Sequence, residues 1–215
     1  MKKTLYIAPL FALTVACAGF KPSYKIVDAS ENSRPNWLVY QNAYKSDKKP
    51  DEKKFRYFLN DAENLDQNLC VNLAETRATQ RVASEISQEI MQKFKEQASS
   101  DDATALRNVK NTLEKNIQVN LHGVKVTGQY WEKRQYLQDM GAKEDKEAYH
   151  CHVAVSIPVS ELTSALNAYK DKTLRQLKKD DQVAMKAAVD ATINAIKTGA
   201  PLDSAAANTV AGANE

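Results

Sequence analysis

Glycine and proline are scarce in this 215-residue chain, six of each, which excludes a collagen-like repeat or a Gly/Pro-rich low-complexity chain. Cysteine is scarcer, with three at positions 17, 70 and 151, too few for a disulfide-stapled mini-protein. Neither sign of charge dominates. Thirty Lys and Arg against 27 Asp and Glu leave +3, a balance that does not point to nucleic acid as a partner. A mean hydropathy of -0.55 is wrong for a polytopic membrane protein. The chain also lacks a Gly-x-Ser-x-Gly elbow, a Gly-rich phosphate loop and a His-Glu-x-x-His pair, the sequence signs of nucleophilic, phosphoryl and zinc chemistry. No enzymatic activity, catalytic residue or cofactor is therefore expected.

What is present begins at the N-terminus. Met1-Lys2-Lys3 precedes an apolar run from Leu5 to Ala16 and then Cys17-Ala18-Gly19, the three regions of a secretory signal. The run is shorter than the roughly 20 residues of a spanning helix, and Pro9 interrupts it. Leu13-Thr14-Val15-Ala16-Cys17 resembles a bacterial lipobox, although Thr14 stands where a larger aliphatic residue is usual. The resemblance implies a diacylglyceryl group and palmitate on Cys17, cleavage of residues 1–16, and a membrane anchor at that residue. Ala18 in place of aspartate implies sorting to the outer membrane. Ala16-Cys17-Ala18 also fits ordinary signal cleavage, which would release a soluble chain. Loss of Lys2 and Lys3 leaves 28 basic against 27 acidic residues, so the mature chain is close to neutral.

Residues 17–35, rich in Pro, Ser and Asn, read as a tether. Trp37-Leu38-Val39-Tyr40 reads as a short strand, Lys45–Lys54 as a charged solvated loop, and Phe55–Leu59 as a second strand. Positions 74, 78, 82, 86, 90, 94 and 98 are all apolar, a spacing that predicts one long helix from about Gln67 to Ala98. Glu85 and Glu89 belong to its expected wet face. Ser99-Ser100-Asp101-Asp102 stops that helix and caps a second one, whose apolar positions are Leu106, Val109, Leu113 and Ile117. Val124–Tyr136 and Tyr149–Ile157 then read as strands, the latter with Cys151, Val153 and Val155 inward. A helical region spans 161–198, and a small-residue tail from 199 is expected to be disordered. The expected fold is α+β: a small antiparallel sheet packed on one face by long helices over 36–160, followed by a C-terminal helical arm.

Two constellations carry chemistry. Cys70 at a helix start and Cys151 on an inward strand face can meet as a disulfide, or stand as two buried thiols. His150 and His152 lie two apart on one strand and face the same side, opposite to Cys151. Two solvated imidazoles are expected there, and no metal site. Tyr130-Trp131 is a candidate stacking surface.

Arg34-Pro35-Asn36-Trp37, the long helix from Ala74-Glu75-Thr76-Arg77-Ala78 onward, and the Gly123–Trp131 strand with Tyr149–Ile157 together resemble the bacterial twenty-kilodalton outer-membrane lipoproteins and their flagellar relatives. The resemblance implies a lipid-anchored structural protein of a flagellar or secretion-associated ring. Its partners would be the membrane through Cys17, other envelope proteins and further copies of itself. A ligand- or protein-binding lipoprotein without an assembly role is the alternative. The folded part would lie in the periplasm or at the cell surface.

Overall fold

The computed structural model describes residues 22–39, 53–97, 103–174, 177, 179–200 and 202. The expected signal at 1–16, Cys17, Tyr40, most of the 45–54 loop, Ala98 and the Ala205–Ala213 tail lie outside them. Four strands form one antiparallel sheet: β1 (Tyr24–Ala29), β2 (Phe55–Asn64), β3 (Lys125–Tyr136) and β4 (Lys146–Pro158), in the order β1-β3-β4-β2. Among the described residues there are five α-helices: α1 (Asn36–Val39), α2 (Gln67–Gln97), α3 (Ala103–Asn120), α4 (Val159–Thr173) and α5 (Lys179–Thr198). The fold is α+β, with helices packed on an antiparallel sheet.

The four-residue spacing of α2 becomes its buried stripe. Ala74, Ala78, Val82, Ile86, Ile90 and Phe94 are all buried, with Cys70 at the helix start and Met91 beside them. That stripe lies on β2 and β4, against Phe58, Ala62, Cys151, Val153 and Val155. Helices α3 and α5 then pack on α2 from its other sides, through Leu113, Ile117, Met185, Val189 and Ile196. This second layer corrects the expected wet face, because Glu85 and Glu89 are buried. Each is paired one turn away, Glu85 with Arg81 and Glu89 with Lys93, which is how a helix covers carboxylates without leaving them alone.

Three further expectations are corrected. The 17–35 tether contains β1, whose six residues pair with β3 from Tyr24↔Tyr136 to Ala29↔Glu132. A register shift between Ile26 and Asp28 breaks its alternation, as a bulge does. Trp37-Leu38-Val39 is helical rather than extended, closed by Leu38 N–H and Val39 N–H donating to the Pro35 carbonyl at 2.9 and 3.2 Å. The segment after 198 is packed where it is described, with Leu202 buried and the Ala200 carbonyl accepting from Arg56 at 2.5 Å. The helical region expected at 161–198 comprises α4 and α5, and both contribute to the core, so the folded unit extends well past residue 160.

Candidate functional site on the polar face of the sheet

β4 separates two chemistries by parity. Its odd residues face α2, and there Cys151 is bonded to Cys70 across a Cα separation of 5.8 Å. Its even residues face the other way. Antiparallel partners share a face, so the register places Glu63, His150 and Glu132 in one row and Asp61, His152 and Tyr130 in the next. Six ionisable side chains thus line two adjacent rungs.

Glu132 is the centre of this face and is fully buried. Arg34 reaches it with both ends of its guanidinium, Nε to Oε2 at 3.0 Å and Nη2 to Oε1 at 2.7 Å. Arg134 Nε donates to Oε1 at 2.7 Å, and the Tyr130 hydroxyl donates to Oε2 at 3.3 Å. Burial pushes the Glu132 carboxyl up, but the two guanidiniums outweigh it and hold the group below the usual carboxylate range. A bidentate Arg–carboxylate pair fixes direction as well as charge. The Arg34 guanidinium is in turn raised, chiefly by its bonds to Glu132. Arg34 is the first residue of the Arg-Pro-x-Trp motif, so that motif holds the N-terminal segment on the sheet.

Trp37 completes the attachment. A Cβ built on Gly128 of β3 would meet the Trp37 ring at 3.0 Å, so the indole lies directly on the glycine. Gly128 is opposite Ala154, which places Trp37 on the same face as the histidines. The long helices cover one face of the sheet, and residues 34–39 cover part of the other.

The histidines are not the two solvated rings expected from the sequence. They meet edge to face with centroids 4.5 Å apart, and His152 also faces Tyr130 at 6.2 Å. Burial lowers the His152 pKa to about 4, and the neighbouring His150 adds to the shift. His150 Nε2 lies 3.0 Å from Asp61 Oδ2, a bond that draws the Asp61 carboxyl below its ordinary value. His150 Nδ1 is buried with no hydrogen-bond partner among the described residues. A carboxylate-oriented imidazole is the geometry of a general base. Here the free nitrogen is enclosed and does not open on a cleft. At the edge of the face, Glu63 accepts from the Tyr136 hydroxyl at 2.5 Å and from Lys146 Nζ at 3.0 Å. Among the described residues no group of three or more His, Cys, Asp or Glu is arranged to hold a metal ion.

Tyr130 and Trp131 do not form a joint stacking surface. Tyr130 faces His152 and is only 2% exposed, whereas Trp131 lies on the opposite face, edge-on to Tyr149 at 5.6 Å. Cys70 and Cys151 are brought together, and Cys17 lies outside the described residues. Sequence reasoning missed Glu132, because Glu132-Lys133-Arg134 reads as an ordinary charged strand surface. The signal available was Arg34, whose partner lies 98 residues away.

No family model, curated protein or solved structure matches this chain.

Proposed function

We propose that this protein is an outer-membrane lipoprotein that acts as a scaffold in a cell-envelope assembly, of the kind found in flagellar or secretion-associated rings. The observation that carries the reading is the buried Cys70–Cys151 crosslink. Disulfides of this structural kind persist in oxidising compartments such as the bacterial periplasm, and the lipobox-like run ending at Cys17 is the address of such a compartment. The polar face supports a structural role over a catalytic one. Its carboxylates are engaged within the chain, Glu132 by Arg34, Arg134 and Tyr130, Glu63 by Tyr136 and Lys146, and Asp61 by His150, so the cluster binds the chain to itself.

Metabolic labelling with palmitate tests the anchor. The wild-type chain is expected to take label and to fractionate with the outer membrane, and Cys17→Ser is expected to lose both. A wild-type chain that takes no label and stays soluble sinks the reading. Crosslinking in cells tests the scaffold: self-ladders or fixed envelope neighbours are expected, and a monomer throughout favours the alternative, a binding protein with no assembly role.

A further inference from the structure

Seven peptide steps separate Cys17 from Tyr24, the first residue of β1. Fully extended, they span at most about 25 Å. A lipid on Cys17 therefore keeps the start of β1 within that distance of the headgroups. The sheet is longer than this leash, because β3 has twelve residues and runs roughly 40 Å at about 3.3 Å per residue. Tyr24 pairs with Tyr136 at the end of β3, and Tyr136 with Lys146 at the start of β4. This end of the sheet is tied within about 25 Å of the bilayer, whereas the end at Lys125 can stand farther away.

The near end carries an apolar pair that nothing in the fold accounts for. Leu65 is 76% exposed and Leu69 is 58% exposed, on either side of Asp66, whose Oδ1 caps α2 by accepting from Leu69 N–H at 2.9 Å. The residue before a helix cap usually packs on the fourth residue of the helix. Here that residue is Cys70, already sealed in the disulfide and fully buried, so Leu65 has nothing to close on. Both leucines offer apolar area that the boundary between headgroups and acyl chains takes up. At the same end of the sheet Lys143 and Lys146 are outnumbered by Glu63, Asp66, Asp139, Glu144 and Asp145, so the contact is apolar and not electrostatic.

We propose that this end of the sheet, centred on Leu65 and Leu69, docks on the lipid bilayer that holds the anchor. The proposal rests on lipidation of Cys17, put forward above. It is tested on the full-length lipidated chain in vesicles of phosphatidylethanolamine and phosphatidylglycerol whose acyl chains are brominated near the headgroups. Leu65→Trp reports on the near end. Val119→Trp, at a position 69% exposed in the last turn of α3, reports on the remote end, and subtraction of wild type removes Trp37 and Trp131. The emission added at 65 should fall about twofold or more with brominated lipid, with little response to salt, and the emission added at 119 should not change.

Equal emission with and without bromine at 65, in a chain that carries lipid and stays on the vesicles, overturns the docking proposal alone. The same holds if position 65 is unquenched because a second copy or another protein covers it. A chain that takes no lipid overturns both the anchor and the docking that depends on it.

Discussion

His152 has a pKa of about 4 against an ordinary 6.5, because burial beside His150 penalises its charged form. Between those values the unfolded chain binds a proton at 152 that the folded chain refuses. Stability is therefore full above about pH 6.5 and falls as acid is added, by up to about 3 kcal/mol for this group. Asp61, Glu63 and Glu132 are all held below the ordinary carboxylate range, so they also remove stability on acidification, at lower pH. Urea midpoints at about pH 7.5 and 4.5 should show the loss, and His152→Gln should flatten the profile in that window. Equal slopes in the two proteins would assign the acid sensitivity to the carboxylates.

At the scale of elements, the legible parts were those whose own burial sets a period. α2 shows a four-residue repeat because the sheet lies along it, and β4 alternates because its two faces meet apolar helix and polar cluster. β1 and α1 were misread for the opposite reason. The β1 strand has Ile26 and Val27 both about half exposed, and its register shift cancels the alternation that would have announced it. Trp37-Leu38-Val39 carries residues that favour strands, yet Pro35 and the seat on Gly128 fold it into a helical turn. Both elements are held by partners roughly a hundred residues away, and no local pattern encodes that. The seat can be tested as a unit. Gly128→Ala places a methyl 3.0 Å from the indole and is expected to cost about 1–3 kcal/mol. In a Trp37→Ala background the same change should cost little, giving a coupling energy of about 1 kcal/mol or more in a double-mutant cycle of thermal unfolding. Additive costs would show that the indole does not rest there.

At the scale of the molecule, the crosslink closes 81 residues of sequence, from the start of α2 through α3 and β3 to the middle of β4. In the chain-entropy model, such a loop stabilises the fold by about 4.5 kcal/mol. Cys70→Ser with Cys151→Ser should lower the urea midpoint accordingly, and reductant should then have no further effect on the variant. Intact mass of the untreated wild type should fall about two daltons below that of the reduced form, as loss of two hydrogens requires. The pairing was half legible: the sequence placed the two residues on a helix start and an inward strand face, but not within bonding distance of each other.

The two borders of the sheet are finished differently. Along β2, Arg77 and Arg81 of α2 reach across and donate to the carbonyls of Asp61 and Leu59 at 3.1 and 2.7 Å, which takes up acceptors that an incoming strand would need. The opposite border belongs to β1, whose residues 25–28 are exposed. A sheet that can accept a neighbour on both borders adds copies without limit, as fibres do. A sheet with one border shut can accept one strand and then stops. Any pairing through β1 therefore closes after a single partner, which lets the chain keep an exposed strand without becoming the seed of an aggregate.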